Sequence, residues 1–213
     1  MTNSLSISSH FGLGRLSLIV MVASVVSVLS ACVSTSTPRN TENLCQIFDE
    51  KRSWYRSAVR SEQKWGIPVP TLMAVIHKES SFRATVRPPR KKILGFIPGK
   101  RLSTSLGYSQ AKIETWNDYV KDTKRRTASR TNFADSIDFV GWYLSRAVRH
   151  LNVAPTNTEA LYASYHVGLS GYQSGKWRNS PGIRNSVATF QRQVQVFERQ
   201  FKTCTVTNRG WFR

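Results

Sequence analysis

Apolar residues recur at helical spacing along most of the chain. The first such run predicts a helix that ends at "WGIPVP" (65–70), on an apolar face made of Leu44, Ile47, Phe48, Tyr55, Ala58 and Val59. Pro70 starts a second helix, whose apolar positions continue through "PTLMAVI" to residue 76. The chain therefore opens with two amphipathic helices separated by a break rich in proline and glycine.

Three further stretches repeat the same spacing. The clearest apolar stripe consists of Phe133, Ile137, Val140, Leu144, Val148 and Leu151, and shorter ones consist of Ile113, Trp116, Asn117 and Val120, and of Val187, Phe190, Val194, Phe197 and Phe201. Thr156 and Glu159 fit a capping box before another helix at "ALYASYHVG". We expect one mainly α domain of about six to seven helices over residues 44–204, followed by a tail at 205–213.

Residues 83–106 interrupt the helical pattern. This segment is basic, contains prolines and glycines, and carries the apolar stretch "ILGFI" in its middle. It predicts a long loop or a small β-hairpin after the second helix. Two interpretations stay open: a solvated charged loop, or a segment that contacts an anionic wall or membrane.

The N-terminus has the pattern of an exported protein. Arg15 precedes an apolar stretch that ends in small residues at Ala31, typical of a signal peptide over residues 1–31. The stretch is shorter than the roughly 20 apolar residues of a spanning helix. "LSAC" (29–32) resembles the lipobox of bacterial lipoproteins, which implies that Cys32 is lipidated; a chance cysteine is the alternative. Residues 32–43 are polar and predict a flexible tether.

The cysteine count is compatible with this placement. If Cys32 carries lipid, the other two of three cysteines, Cys45 and Cys204, are left as one possible disulfide. An oxidising compartment would allow that bond, and two buried free thiols are the alternative. Val33 favours the outer over the inner membrane, so we expect a lipid-anchored protein of the cell envelope that faces the periplasm.

The chain is strongly basic. Its 31 Lys and Arg against 12 Asp and Glu give a formal net charge of +19, and removal of residues 1–31 takes away only Arg15. A cytosolic protein of this charge would suggest nucleic acid as the partner. Export argues against that partner and favours the polyanions of the envelope, which such a charge would attract without selecting one substrate.

Glu79 is the main candidate for chemistry. It continues the apolar stripe of Leu72, Val75 and Ile76 at helical spacing and lies near the negative end of that helix. Burial and the helix dipole both disfavour a carboxylate, so both predict a raised pKa. The alternative is an acid that reaches solvent or pairs with Lys78 or Arg83.

Four motifs, taken in order, resemble those of the lytic transglycosylases with a goose-type lysozyme-like domain. They are "ESSF" (79–82), "GYSQ" (107–110), "FADSIDFVGWYL" (133–144) and "LYASYHVGLSGY" (161–172). The resemblance implies that Glu79 is catalytic. It also implies that substrate is bound by residues of the matching motifs, which are Ser80, Gly107, Tyr108, Ser109, Gln110, Tyr165 and His166. Tyr108 and Ser109 replace Leu and Met of the family motif, and His166 replaces Asn.

The resemblance implies cleavage of the bond between N-acetylmuramic acid and N-acetylglucosamine in peptidoglycan, with one acid that acts first as acid and then as base. The product would be a 1,6-anhydro end. A hydrolytic muramidase would need a second acid, and the candidates look like capping or solvent-facing residues: Asp118, Asp122, Asp135 and Asp138. A non-catalytic lipoprotein that binds peptidoglycan is the other alternative. No metal or cofactor motif occurs, and the oligomeric state stays open.

Overall fold

Eight α-helices and one short β-hairpin make up the part of the chain that the computed structural model describes, residues 36–205. The helices are α1 (Leu44–Glu50), α2 (Arg52–Trp65), α3 (Val69–Ser80), α4 (Ile113–Thr123), α5 (Phe133–Leu151), α6 (Thr158–Val167), α7 (Leu169–Gln173) and α8 (Pro181–Thr203). A 3-10 turn spans Lys176–Asn179, and the strands are β1 (Arg90–Ile93) and β2 (Ile97–Arg101). The predicted mainly α fold is confirmed. The predicted signal peptide, Cys32 and nearly all of the predicted tail lie outside the described residues.

The helices are slightly more numerous than predicted because two short ones were not separated from their neighbours. The first apolar stripe is divided at Lys51, whose backbone at φ −118° and ψ 64° is not helical. Its N–H still donates to Ile47 O at the end of α1. The other addition is α7, which follows α6 directly after Gly168, a residue with φ +81°.

Helix α3 lies at the centre of the core. Its residues from Leu72 to Ile76 are fully buried, and it packs against α2, α5 and α8. A helix that is apolar on every side must be covered on every side. Its last turn is less deeply buried, since His77, Lys78 and Glu79 are each partly exposed, and Glu79 borders a cavity.

An aromatic cluster fixes the elements next to that last turn. The rings of Trp54 on α2 and Phe133 on α5 stack with centroids 3.9 Å apart. Tyr108 meets Trp54 edge-on at 5.6 Å, and Phe82 lies 5.8 Å from it. This buried aromatic cluster thus holds together the segments that carry "ESSF" and "GYSQ".

A disulfide joins the two ends of the domain. Cys45 on α1 and Cys204 after α8 are bonded with their Cα atoms 5.1 Å apart, which is the pair that the cysteine count left available. Gln200 reinforces this junction, because its Oε1 accepts from the N–H of Leu44 at 2.8 Å and its Nε2 donates to Glu42 O.

The predicted tether needs a correction for the residues that the structure describes. Residues 36–43 contact the domain: Pro38 is buried, and the N–H of Arg39 donates to Glu50 Oε2 at 3.0 Å. Their polar composition suggested a free segment, but these side chains and amides find partners on α1. Residues 36–205 belong to one compact unit, so a protein that begins at residue 33 retains all of the contacts within it.

The basic segment forms the hairpin that was one of its two predicted structures. Strands β1 and β2 pair antiparallel, with Ile93 opposite Ile97 and Arg90 opposite Arg101. Leu94 and Gly95 form the turn with φ values of +52° and +82°. Within residues 36–205 no helix is long and apolar enough to cross a membrane.

Candidate active site

The sequence "ESSF" ends α3 so that Glu79 stays in its last turn. Ser80 is buried, and its Oγ donates to Ile76 O in the preceding turn at 3.1 Å. Ser81 and Phe82 then adopt the left-handed region with φ values of +49° and +60°, which ends the helix. Phe82 returns to the core, where it is fully buried. The motif therefore fixes the direction in which the Glu79 side chain leaves the helix.

Glu79 is a carboxyl group largely removed from water. Burial raises its pKa to about 7 from an ordinary 4.5, against smaller opposing effects of a hydrogen bond from Tyr162 and the charge of Lys78. The side chain keeps partial exposure where it meets a cavity. An acid with a pKa near neutrality can hold a proton and also give it up, which general acid and base catalysis requires.

Tyr162 on α6 contacts Glu79 directly. Its hydroxyl donates to Glu79 Oε1 at 3.1 Å across a sequence separation of 83 residues. The ring is 2% exposed and stacks on Phe190 of α8, with centroids 4.4 Å apart. This packing holds the hydroxyl in place, so Tyr162 orients the carboxyl group. Tyr162 lies within the motif at 161–172, but no role was predicted for it.

The "GYSQ" segment is a tight turn whose glycine is required. Gly107 has φ +80°, and a Cβ there would lie 1.9 Å from Arg130 O, closer than atoms can approach. Gln110 closes the turn, since its Nε2 donates to Gly107 O at 2.8 Å and to Val86 O at 2.9 Å. The turn is held from both sides and presents Gln110 to the cavity.

Tyr165 connects α6 to that turn. Its hydroxyl donates to the backbone carbonyl of Ser109 at 2.6 Å, and its ring meets the edge of Tyr143 at 5.1 Å. Burial, with a smaller contribution from the charge of Glu79, keeps its pKa well above the ordinary value. Tyr165 therefore stays a neutral phenol whose ring forms part of the cavity wall.

A cavity of about 330 Å³ opens beside Glu79, within the range of small-ligand sites. Its lining residues are Glu79, Pro88, Ser105, Gln110, Ala111, Lys112, Thr115, Phe139, Tyr143, Tyr165, His166, Val167 and Gly168. A second cavity of about 240 Å³ shares Thr115, Tyr143, Val167 and Gly168 with it and adds Asp118 and Arg146. Because they share these residues, the two cavities adjoin and together form a groove.

The structure brings together four of the predicted site residues in this groove: Glu79, Gln110, Tyr165 and His166. Partial burial and the charge of Lys78 lower the pKa of His166, so its imidazole is mainly neutral near pH 7. Among the residues that the structure describes, Glu79 is the only carboxyl group that lines the larger cavity.

The predicted substrate contacts of the other four motif residues are corrected by the structure. Ser80 and Ser109 are buried, and Tyr108 packs inside the aromatic cluster at 1% exposure. Gly107 is buried against Arg130. These residues shape the helix end and the turn, and the motif match alone could not indicate which way their side chains point.

Asp138 was predicted to lie at a helix start or in solvent, and this prediction is wrong. It lies in the second turn of α5 and is 7% exposed. Four groups donate to its carboxylate: Tyr119 OH at 2.7 Å, Trp65 Nε1 at 2.9 Å, and Lys64 Nζ and Arg125 Nη1 at 3.2 Å each. Burial acts to raise the pKa of Asp138, but these donors and the charge of Lys64 together hold it below the ordinary value.

The remaining acid candidates fall into two groups. Asp135 lies in the first turn of α5 and accepts from the N–H of Ser129 at 2.9 Å, as expected for a residue at a helix start. Asp118 and Asp122 are exposed on α4. Within residues 36–205 no group of three or more His, Cys, Asp and Glu side chains is placed to hold a metal ion.

The chain matches a protein-family model. The model described as "Transglycosylase SLT domain" matches residues 20–204 of the chain. A comparison with curated proteins found no match. The family match spans α1 to α8 and therefore includes the whole groove and Glu79.

Proposed function

The chain belongs to the family of transglycosylase SLT domains, and from this premise we propose that it cleaves the glycan strands of peptidoglycan with Glu79 as its single catalytic acid. Its mainly α fold is the lysozyme-like domain expected of that family. Beyond membership of the family, the proposal names the bond that is cleaved and the product that is formed. The bond links N-acetylmuramic acid to N-acetylglucosamine, and the product carries a 1,6-anhydro end.

The first step is transfer of a proton from Glu79. Protonated Glu79 gives its proton to the oxygen of the glycosidic bond, the bond from that oxygen to the anomeric carbon breaks, and the N-acetylglucosamine side leaves as an alcohol. A pKa of about 7 means that about half of the Glu79 side chains are protonated at neutral pH. Tyr162, 3.1 Å from Glu79 Oε1, stabilises the carboxylate that remains.

The second step returns the proton. The 6-hydroxyl oxygen of the muramic acid bonds to the anomeric carbon, and its proton passes to the Glu79 carboxylate. No water is consumed and the enzyme regains its starting state. One carboxyl group in both roles is sufficient for this sequence, whereas hydrolysis by most glycosidases requires two.

One observation carries the proposal: the only carboxyl group lining the larger cavity, among the described residues, is also the one whose pKa burial raises to about 7. Tyr165, Gln110 and His166 around it supply a ring face, an amide and an imidazole, which are groups suited to sugar rings and their acetamido substituents.

Digestion of purified peptidoglycan sacculi tests the proposal. The protein from residue 33 onward should release soluble muropeptides with anhydro ends, identified by mass spectrometry. Glu79→Gln should reduce release at least about a thousandfold, since proton transfer by a positioned acid contributes that much. Glu198→Gln, the same change at an exposed site on α8, is the matched control and should act like wild type. Binding to sacculi without release would instead support the non-catalytic binding protein.

A hydrolytic muramidase is the second candidate because Asp118 lines the adjoining cavity. Hydrolysis would leave reducible ends, and Asp118→Asn and Glu79→Gln, each as a single variant, would then abolish muropeptide release. For the lytic transglycosylase we expect anhydro ends and activity of Asp118→Asn within about tenfold of wild type. The product ends and this variant together separate the two reactions.

We also propose that the protein acts from the periplasmic face of the cell envelope, anchored by lipid on Cys32. The signal-peptide pattern and "LSAC" support this placement. Labelling cells with a fatty-acid analogue tests it. Label on the wild type but not on Cys32→Ala, with wild type recovered in the outer-membrane fraction, is expected. An unlabelled wild type would contradict the anchor.

A further inference from the structure

The β-hairpin ends in apolar side chains that nothing in the described structure covers. In this apolar tip, residues 93–97, Leu94 is 79% exposed, Phe96 76%, Ile93 54% and Ile97 43%. The two strands pair with each other, and neither packs broadly against a helix of residues 36–205. Clustered exposed apolar side chains on a soluble domain mark a surface that binds something.

Cations flank this tip on both strands. The basic stem, residues 90–92 and 100–101, consists of five exposed Lys and Arg residues, and the whole of residues 83–106 contains no Asp or Glu. Arg90 Nη1 donates to Gly99 O, and Arg101 Nη1 donates to Pro88 O at 2.7 Å. These bonds hold both guanidinium groups beside the strands, so positive charge lies directly behind the apolar tip.

We propose that this hairpin is a membrane-surface anchor, in which the apolar tip enters the interface of an anionic lipid leaflet and the basic stem binds the head groups. Interfacial segments bury apolar side chains about 5–10 Å into the boundary between head groups and acyl chains and are attracted by anionic lipid. An apolar end with cations immediately behind it matches that layered partner in both polarity and charge.

The chemistry of the tip distinguishes a lipid surface from the glycan of the wall. Ile93, Leu94, Phe96 and Ile97 carry no hydrogen-bonding group, whereas a glycan strand presents hydroxyl and amide groups over most of its surface. Burying these four side chains against a glycan would leave its polar groups unpaired. Acyl chains impose no such cost.

The position of the hairpin relates the anchor to the groove. Pro88 and Ser105, on either side of the hairpin, line the larger cavity. Val86 O accepts from the N–H of Gly107 and from Gln110 Nε2, which fixes the foot of the hairpin to the turn in the cavity wall. A bound tip would therefore hold the groove close to the membrane surface. This anchor does not depend on which reaction the groove performs.

Flotation with lipid vesicles tests the proposal on the protein from residue 33 onward, which lacks the predicted lipid anchor at Cys32. Vesicles of phosphatidylcholine with about one third phosphatidylglycerol should bind the wild type, and vesicles of phosphatidylcholine alone should bind it at least about tenfold more weakly. The double variant Leu94→Ser and Phe96→Ser should lose at least about tenfold in partitioning. Leu102→Ser is the apolar control. Leu102 is 60% exposed at the foot of the hairpin, about 20 Å along the strand from the tip, and should matter little.

A charge-matched pair tests the stem. Lys91→Gln with Lys92→Gln should reduce binding about tenfold, with a weaker dependence on salt. Lys121→Gln with Lys202→Gln removes the same charge from α4 and α8 and should reduce binding less than about threefold. All of the substituted side chains are exposed, so each variant should keep the melting temperature of the wild type.

Insertion has a direct readout. In Phe96→Trp, fluorescence of the added indole should be quenched by lipids brominated on their acyl chains, beyond any quenching of the wild type. Binding that depends on the stem alone, with no effect of the tip variants and no added quenching, would overturn insertion in favour of adsorption by charge. No binding to vesicles, with retention on sacculi that the tip variants abolish, would assign the hairpin to the wall polymer and also overturn the proposal.

Discussion

Replacing Glu79 by Gln should stabilise the fold at neutral and alkaline pH, whatever it does to activity. Burial raises the pKa of Glu79 to about 7 from 4.5. Between these values the folded chain binds more protons than the unfolded chain, so the free energy of unfolding falls as pH rises. Gln has nearly the same shape but no charge at any pH, and therefore escapes this loss.

The magnitude follows from the shift. Each unit of pKa difference corresponds to about 1.4 kcal/mol, so a shift from 4.5 to about 7 corresponds to about 3 kcal/mol at full effect. The carboxyl group meets the cavity and is partly solvated there, which reduces the expected effect to about 2 kcal/mol. For a domain of this size that is a rise in melting temperature of about 4–8 °C.

Urea unfolding of both proteins from residue 33 onward, at about pH 4 and about pH 8, measures the difference. The stability of Glu79→Gln relative to wild type should increase by about 2 kcal/mol between the two conditions. Glu198→Gln, exposed on α8, is the control for loss of a carboxylate and should show no such increase. A relative stability of Glu79→Gln that stays constant with pH, or that falls toward alkaline pH, would refute a desolvated carboxyl group at this position.

Three further predictions concern groups that act on the site or the fold. Tyr162→Phe removes a bond that lowers the pKa of Glu79, so the alkaline limb of muropeptide release should move up by about one pH unit; an unmoved limb would contradict the role of the bond. The double variant Cys45→Ser, Cys204→Ser opens a loop of 159 residues and should lower the free energy of unfolding by up to about 5 kcal/mol, measured in urea. Unchanged stability would contradict the disulfide. Asp138→Asn should cost about 3 kcal/mol at pH 7. Because the pKa of Asp138 is lowered in the fold, that cost should disappear as pH falls through the pKa of Asp138 in the folded protein. A loss of stability that is independent of pH would contradict the lowered pKa.

The sequence predicted the helical fold and the position of Glu79 because both depend on local spacing. The stripe from Leu72 to Ile76 continues through one more turn to residue 79, and the structure buries its apolar members fully and leaves Glu79 partly exposed at the cavity. The hairpin was also predicted as one of two options, from its prolines, glycines and charges. The positions of helix breaks were harder to predict. The break at Lys51 lies within one apolar stripe, because the apolar residues before and after it keep the same helical spacing.

Contacts between distant segments could not be predicted from spacing. Tyr162 and Tyr165 lie one turn apart on α6, and only the packing against Phe190 determines that Tyr162 reaches Glu79. The motif match favoured Tyr165, which lines the cavity and also donates a hydrogen bond to Ser109 O in the neighbouring turn. The role of Glu79 as catalytic acid stays a prediction, whereas its surroundings are now described.

Glu79 and Asp138 differ in a way that suits Glu79, and not Asp138, to the proposed proton transfer. Both lose solvation, which by itself raises a pKa. Asp138 regains more than it loses, because it accepts from four donors that include the cations Lys64 and Arg125, and it stays ionised at neutral pH. In the part of the chain that the structure describes, the hydrogen bond that the Glu79 carboxyl group accepts comes from the neutral Tyr162, so burial dominates and raises its pKa to about 7. The number and charge of the donors therefore keep Asp138 an anion, whereas Glu79 can hold a proton near neutral pH, as its proposed role in the groove requires.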